Sequence, residues 1–248
     1  MHRFHFIAAV TLSMTLLIGT AGFTWTQRPE QIPEFSSMQP KIKKQAFFAF
    51  LQPKIQHANL RIAEDRAWLM HAHTTLADPA EQQLSWFQQR KLRLLAQRYG
   101  VDWTDAPDHL AIVEGLLRRV DQVPASLALV QAAKESGWGT SRFARTGNNW
   151  FGQQCFREGC GHVPVRREAD RQHEVARFPS VQAAVDAYML NLNTHYRYQE
   201  FRDLRAQSRG NGDSLKGTEL AAGLLAYSER REAYVAEIIG MIEYNELE

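Results

Sequence analysis

The sequence contains little cysteine and little excess charge of either sign. Its 248 residues include two cysteines, too few for a zinc site with four cysteine ligands or for a disulfide-rich miniprotein. Lys and Arg number 29 against 27 Asp and Glu, a formal net charge of +2, whereas nucleic-acid-binding domains carry a clear basic excess. With 44% hydrophobic and 23% charged residues, disordered and collagen-like chains are excluded. The composition predicts a folded protein with no nucleic-acid partner.

Several catalytic and cofactor motifs are also missing. The sequence has neither the Gly-x-Ser-x-Gly elbow of serine hydrolases nor a Gly-rich phosphate loop. His71 and His73 are two residues apart, so they do not share a helix face, and no His-Glu-x-x-His is present. We therefore expect no catalytic metal and no cofactor. The spacing of Cys155 and Cys160 is not thioredoxin-like, and one local disulfide is the most that they can form.

One long apolar run is present, at the N-terminus. A basic start is followed by 20 residues, 6–25, without a charged side chain, which is typical of a secretory signal peptide and just long enough to span a bilayer. We expect 1–26 to be a signal peptide, with an inner-membrane anchor as the alternative, and the proline-containing stretch 27–40 to be a linker. Both interpretations predict a periplasmic or cell-envelope protein, where oxidising conditions favour a disulfide.

Helical periodicity begins after this linker. Apolar residues at helical spacings indicate two or three helices over 41–95, with Pro53 and Pro79 as interruptions. A further helix fits 108–120, where five apolar residues share one face. We interpret 41–119 as a helical N-terminal extension that packs against the following domain or separates it from the membrane.

The C-terminal half is predicted to be helical with one interruption. A helix begins at Pro124, because proline suits a first helical turn, and ends at Gly137, a residue that readily adopts the left-handed conformation. The stretch 140–178 lacks a helical period and is expected to form loops and a small β-hairpin, with strands in 163–167 and 174–178. Helical spacing resumes at Val181. The expected fold class is mainly α (α+β), with a small β insert.

Glu135 is the residue whose position carries the most chemical information. It falls in the last turn of the predicted helix, where the negative end of the helix dipole disfavours an ionised carboxylate. Shielding by Trp138 would raise its pKa further, toward the range of a general acid near neutral pH. The alternative is a solvated carboxylate paired with the adjacent Lys134 or with a distant arginine.

The sequence around Glu135 resembles a known enzyme family. Residues 131–141, Gln-Ala-Ala-Lys-Glu-Ser-Gly-Trp-Gly-Thr-Ser, and 147–152, Gly-Asn-Asn-Trp-Phe-Gly, together resemble the paired signatures of the glucosaminidase family, glycoside hydrolase family 73. The resemblance covers about 120–248 and implies an extracytoplasmic, lysozyme-like catalytic domain. It further implies cleavage of the β-1,4 bond between N-acetylglucosamine and N-acetylmuramic acid in peptidoglycan glycan strands, with Glu135 as the catalytic acid.

Glycoside cleavage usually needs a second carboxylate, which activates water or stabilises the oxocarbenium ion. In the family it lies on the β-hairpin, where the acidic candidates here are Glu158, Glu168, Asp170 and Glu174. We favour Glu168, which follows Glu135 by 33 residues. The alternative for Glu168 is a solvated ion pair with the neighbouring arginines. The sequence does not decide between inverting, retaining and substrate-assisted hydrolysis, because the separation of the two carboxylates is a structural quantity.

The resemblance also implies a functional tyrosine and a substrate-binding surface. The family's tyrosine segment is altered here, and we assign the catalytic tyrosine to Tyr227, with Tyr234 as the reserve; either ring could instead be core. The residues expected to contact the glycan are Trp138, Asn148, Asn149, Trp150 and Tyr234. Two other functions stay open, a lytic transglycosylase, which needs no water-activating base, and a non-catalytic peptidoglycan-binding or assembly module.

Overall fold

The computed structural model describes residues 31–80, 83–105, 107–163 and 174–248. The expected signal peptide or anchor, 1–26, lies outside the described residues, and so does Glu168. The chain divides into two units, Met1–Gln31 and Ile32–Glu248, and every described helix and strand belongs to the second. In the described ranges, no helix has the length and apolar character that a membrane crossing requires.

The predicted mainly α architecture is confirmed. The described helices are α1 (Pro40–Ala77), α2 (Trp86–Tyr99), α3 (His109–Arg119), α4 (Ala125–Ser136), α5 (Arg142–Gly147), α6 (Val181–Thr194), α7 (Gln199–Asn211), α8 (Gly217–Leu220) and α9 (Glu232–Tyr244). Short 3-10 helices occur at Phe35–Ser37, Tyr196–Tyr198 and Ala221–Tyr227. The core is formed by apolar faces of all the long helices.

Helix α1 continues through Pro53, where the sequence analysis places an interruption. A proline inside a helix costs about 3 kcal/mol, because it removes one backbone hydrogen bond and crowds the preceding turn. Phe47, Leu51 and Ile55 flank Pro53 and are fully buried, and burial of such side chains contributes about 1.5–3 kcal/mol each. Packing of this face against α3, α4 and α6 therefore outweighs the local cost of the proline.

Polar contacts also fix α1 to the helices that follow it. The Asn59 side chain donates to the Val123 carbonyl at 2.7 Å and accepts from the Val123 N–H at 3.0 Å. Arg66 donates to the carbonyls of Leu117 and Val120 at the end of α3. These bonds satisfy backbone groups just before α4. Helix α1, which precedes the segment that resembles the glucosaminidase family, therefore holds the start of α4.

The small β insert is present as a three-stranded antiparallel sheet; of the strand predicted at 163–167, residues 164–167 lie outside the described residues. Its strands are β1 (Gln154–Cys155), β2 (Gly161–His162) and β3 (Glu174–Ala176), in the order β1-β3-β2. Gln154 pairs with Val175, and Gly161 pairs with Ala176. The predicted disulfide joins Cys155 and Cys160, so it closes the turn between β1 and β2. No helix is predicted in this region, but α5 forms a short one, capped by Ser141, whose side chain accepts from the Ala144 N–H.

Candidate active site

Helix α4 places Glu135 at a boundary between core and solvent. Its residues from Ser126 to Ala133 are all buried, whereas Glu135 is partly exposed. The helix ends at Gly137, whose φ of 57° is left-handed and whose N–H bonds to carbonyls of the last turn. Glu135 therefore stands at the end of a largely buried helix, and its own side chain is partly exposed.

A chain of hydrogen bonds leads through the core to one oxygen of this carboxyl group. The Tyr234 hydroxyl donates to Glu135 Oε1 at 3.0 Å. Gln131 Nε2 donates to the Tyr234 hydroxyl oxygen at 3.0 Å, and the Tyr188 hydroxyl donates to Gln131 Oε1 at 2.5 Å. We call these three residues the tyrosine relay. Every donor in the relay is oriented toward Glu135, so Oε1 is fixed as an acceptor.

The second oxygen, Oε2, faces Gly152. A Cβ atom at position 152 would lie 3.2 Å from Glu135 Oε2, and the φ of Gly152 is +64°, a conformation that residues with a side chain rarely adopt. Gly152 is itself exposed. The glycine of the Trp-Phe-Gly segment thus keeps space open beside Oε2, on the side of the carboxyl group that a substrate can reach.

Burial raises the pKa of Glu135 above its ordinary value, and it is the largest influence on that carboxyl group. The hydrogen bond from Tyr234 and the charge of Lys134 act in the opposite direction, while the nearby carboxylate of Glu237 raises the pKa further. Lys134 forms its ion pair with Glu237, at 2.6 Å, so the alternative of a Glu135–Lys134 pair does not hold. The net result is a carboxyl group that keeps its proton to higher pH than a solvated glutamate.

Tyrosine side chains surround Glu135. Tyr227 stacks on Tyr234 with ring centroids 5.6 Å apart, and its hydroxyl donates to the Phe151 carbonyl at 2.8 Å. Phe151 in turn stacks on Tyr188 at 4.0 Å. Burial raises the pKa of Tyr188, Tyr227 and Tyr234, so these phenols stay neutral and serve as hydrogen-bond donors rather than bases.

Both tyrosines singled out in the sequence lie at the site, in different positions. Tyr234, the reserve, contacts Glu135 directly. It is also predicted to contact the glycan, but it is only 1% exposed, which leaves no ring surface for a sugar. Tyr227 is partly exposed and holds the backbone of Phe151, next to Gly152. Tyr227 therefore supports the wall that faces Glu135, and its predicted catalytic role stays a prediction.

The expected glycan-binding residues divide into accessible and enclosed groups. Trp138 is partly exposed, with its ring against Phe47 and Phe48 of α1. Trp150 is fully buried and packs among aromatic rings that include Phe35 and Phe47. Because its ring has no exposed surface, the expectation that Trp150 contacts the glycan is wrong in this structure; it supports the cleft from within.

The two asparagines of the same motif use their amides on the backbone. Asn149 is 2% exposed; it donates to the carbonyls of Gln153 and Ala176 and accepts from the Gln153 N–H. These bonds hold β1 against β3, so Asn149 is not available to a sugar. Asn148 is partly exposed, adopts a left-handed φ of 51°, and donates to the Phe178 carbonyl at 2.9 Å. Its side-chain oxygen is left as the candidate glycan contact.

The main candidates for the second carboxylate lie outside the described residues. Glu168 and Asp170 fall in the segment 164–173. Glu174 is 6% exposed and accepts from the N–H groups of Gly159 and Gly161, so its carboxylate holds the disulfide-closed turn. Glu174 also lies near Cys155 and Cys160, but sulfurs joined in a disulfide are not the thiolates that bind a metal. Glu158 is exposed in the same turn.

Two residues of the relay, Gln131 and Tyr188, were not identified from the sequence as functional. Gln131 precedes Glu135 by four residues, and this spacing places both side chains on one face of α4. The sequence alone therefore indicates that Gln131 lies beside Glu135. Tyr188 lies on α6, 53 residues after Glu135, and its helical spacing alone indicates only a core position. Its contact with Gln131 depends on how α4 and α6 pack.

Comparisons with known proteins agree with this geometry. A family model described as Glucosaminidase, mannosyl-glycoprotein endo-beta-N-acetylglucosaminidase, matches residues 115–247. The chain is 34% identical over 204 residues to protein Bax from Escherichia coli strain K12, covering 82% of this chain and 70% of that protein. No solved structure shows a significant match. The matched segment contains Glu135, the tyrosine relay and the β insert, whereas α1 and α2 precede it.

Proposed function

This chain belongs to the glucosaminidase family, and we propose that it is a peptidoglycan hydrolase that cleaves the β-1,4 bond between N-acetylglucosamine and N-acetylmuramic acid. The observation that carries the proposal is the position of Glu135, whose carboxyl group is partly exposed, raised in pKa by burial, and fixed through Oε1 by Tyr234. A glycosidase requires such an acid at the oxygen of the bond that breaks.

In the proposed reaction Glu135 acts as the general acid. Its Oε2, beside Gly152, carries the proton and delivers it to the glycosidic oxygen as the bond to the anomeric carbon breaks. The electron pair of that bond stays with the leaving oxygen, and Glu135 becomes a carboxylate. The Tyr234 hydroxyl already donates to Oε1, so a hydrogen bond that strengthens with charge is in place before the proton leaves.

We further propose Glu168 as the second carboxylate, with Asp170 as its alternative. Of the four acidic candidates, Glu174 is committed to the N–H groups of Gly159 and Gly161. A carboxylate on the β insert would activate a water molecule that attacks the anomeric carbon. Restoration of a proton to Glu135 then completes the cycle. Whether the product retains or inverts configuration follows from the distance between the two carboxyl groups.

One observation favours a lytic transglycosylase as the second candidate. Among the described residues, the groups that hydrogen-bond Glu135 and its relay are tyrosine and glutamine side chains, and no carboxylate takes part. A transglycosylase uses an acid that later acts as base, and an internal hydroxyl of muramic acid replaces water. The two reactions leave chemically different sugar ends.

A location outside the cytoplasm is part of the same proposal. The Cys155–Cys160 disulfide and membership of a glucosaminidase family both support it. The N-terminal segment 1–26 would direct export, as a cleaved signal or an inner-membrane anchor.

The test is digestion of purified peptidoglycan by the wild-type protein and by Glu135→Gln, with the new sugar ends identified by mass spectrometry. We expect reducing N-acetylglucosamine ends from wild type and none from the variant. Anhydromuramic ends would replace this proposal with the transglycosylase. Binding of peptidoglycan by both proteins without new ends would leave only the binding module.

A further inference from the structure

A groove lies between the N-terminal end of α1 and the C-terminal end of α9, away from the relay. Its volume is about 500 Å³. It is lined by residues of both helix ends: Pro40, Lys41, Lys44, Gln45, Phe48, Tyr244 and Asn245. We call it the α1–α9 groove. The part contributed by α1 lies before the segment that the family model matches, whereas Tyr244 and Asn245 lie within it.

Aromatic rings and a lysine define the groove. Tyr244 is 77% exposed, so its ring is accessible to a ligand. The ammonium group of Lys44 lies 4.6 Å from the Tyr244 ring centroid and 5.2 Å from that of Trp138. Phe48 forms part of the groove and packs against Trp138, with ring centroids 5.4 Å apart.

Trp138 connects this groove to the proposed catalytic acid. It directly follows Gly137, which ends α4, and stands three residues after Glu135. Its partly exposed ring touches Lys44 and Phe48 of the groove. Trp138 thus lies both next to the end of the helix that carries Glu135 and against the lining of the α1–α9 groove.

The charge of the groove is positive. Within the described ranges, neither Lys41 nor Lys44 forms an ion pair with an acidic side chain. No acidic residue occupies the first turn of α1, and none lines the groove. Where a peptide is attached, the lactyl group of muramic acid is an amide, so the glycan itself offers no anion to the two lysines that line the groove.

We propose that the α1–α9 groove binds the acidic peptide carried by the muramic acid of the substrate. This rests on the proposed function, because the peptide reaches the groove only if the glycan lies at Glu135. The peptide combines carboxylates with short aliphatic side chains, which match the lysines and the faces of Tyr244 and Phe48 respectively. The groove thus selects glycan strands that still carry peptides.

The test compares two substrates with matched variants. Soluble glycan strands that carry peptides are used beside the same strands stripped by an amidase, which hydrolyses the lactyl amide, releases the peptide and exposes one carboxylate on each muramic acid. The double variant Lys41→Gln/Lys44→Gln is expected to raise KM about tenfold on peptide-bearing strands, with kcat retained, and to leave KM on stripped strands unchanged. Tenfold corresponds to about 1.4 kcal/mol, a modest loss for two charged contacts.

Controls separate charge from fold. Lys43→Gln removes a lysine from the same helical turn that does not line the groove, and it should behave as wild type. Lys44→Arg keeps the cation and should restore most of the affinity. Tyr244→Ala, at an exposed ring, should weaken binding of peptide-bearing strands without lowering Tm. An equal rise in KM on both substrates, or no rise on either, would overturn the proposal.

Binding is also measured directly, with Glu135→Gln as the background, so that the result does not depend on turnover. Tighter binding of peptide-bearing strands than of stripped strands, lost when Lys41 and Lys44 are replaced, supports the groove even if the glycosidase assignment fails. Equal affinity for both strands contradicts the groove while leaving the glycosidase untouched.

Discussion

Two carboxyl groups near opposite ends of α4 have contrasting surroundings. Asp121, just before the helix, is 2% exposed and lies 2.9 Å from Arg209, 3.6 Å from Arg66 and 3.9 Å from Arg205. Glu135, in the last turn, is met by the neutral hydroxyl of Tyr234. Cations compensate the first carboxylate, whereas burial among phenols favours the protonated form of the second.

The comparison shows how one fold assigns two roles to carboxyl groups. Arg205 is almost fully buried, and burial lowers its pKa to about 10 even with Asp121 nearby; it therefore stays charged at neutral pH. It also donates to the carbonyls of Arg119, Asp121 and Gln122. Asp121 thus joins an ionic cluster that stabilises the chain before α4, while Glu135 keeps a proton available for chemistry.

The largest expected effect concerns Glu135, the carboxyl group with neutral surroundings. Glu135→Gln keeps the size and the hydrogen-bond acceptor of the side chain but removes its transferable proton. Cleavage of peptidoglycan should fall by at least about 10²–10⁴-fold, the usual contribution of a general acid. Release of soluble sugar ends measures it.

The same variant tests the raised pKa. A carboxyl group whose pKa is raised on folding contributes stability below its unfolded pKa and loses it as pH rises through the folded pKa. At pH 7 the Glu135 carboxyl therefore opposes folding, and Glu135→Gln should unfold at an equal or higher temperature than wild type. A lower Tm would show that the carboxylate is stabilised in the site.

On the ionic side, Asp121→Ala should destabilise the protein by about 3–5 kcal/mol, because it leaves buried arginines without their counter-charge. Denaturant unfolding measures the loss. Asp203→Ala is the control, since Asp203 pairs with Arg118 at the surface, 3.7 Å away and half exposed, and such pairs contribute about 0–1 kcal/mol. Equal losses in both variants would remove the distinction between the two pairs.

Removal of the donor to Oε1 tests the relay. Tyr234→Phe should lower kcat/KM about tenfold, because a hydrogen bond to the developing carboxylate is lost. The Tyr234 hydroxyl lowers the pKa of Glu135, so that pKa should rise in the variant. Since the acid works when protonated, the basic limb of the kcat/KM profile should move to higher pH. Tyr227→Phe, which leaves Oε1 bonded, should leave that limb in place.

The smallest expected effect comes from a neighbouring charge. It shifts the basic limb of the pH profile in the direction opposite to the shift expected for Tyr234→Phe. Glu237 raises the pKa of Glu135 and pairs with Lys134, whose charge lowers it. Glu237→Gln removes the first influence and frees the second, so the basic limb should move to lower pH, with kcat at low pH retained. Glu243→Gln, an exposed acid on the same helix, serves as control; a shift there as well would indicate a general charge effect.

Local signals predicted the position of Glu135. Pro124 and Gly137 bracket α4 in the sequence, and their backbone preferences fix where the helix begins and ends. The same kind of signal failed at Pro53, because the burial of α1 outweighs a local penalty. The prediction that Trp150 contacts the glycan is wrong for a related reason. An aromatic residue in a Gly- and Asn-rich motif looks the same in the sequence whether its ring lines a cleft or packs in the core.

The choice between Tyr227 and Tyr234 needed tertiary structure. Their positions in the sequence do not distinguish the two tyrosines. Only the packing of α9 against α4 brings the Tyr234 hydroxyl to Glu135. Glu168 stays a prediction, since no motif around it distinguishes a catalytic carboxylate from a solvated ion pair.

The burial of most of α4 has a consequence for how the protein loses activity on heating. Leu127, Val130 and Ala133 have no exposed surface, so backbone amides along this helix should exchange with solvent only when the whole unit opens. Glu135, the proposed general acid, therefore belongs to the slowest-exchanging segment and not to a mobile loop. Heat inactivation should coincide with global unfolding, with no partly folded, inactive state at lower temperature.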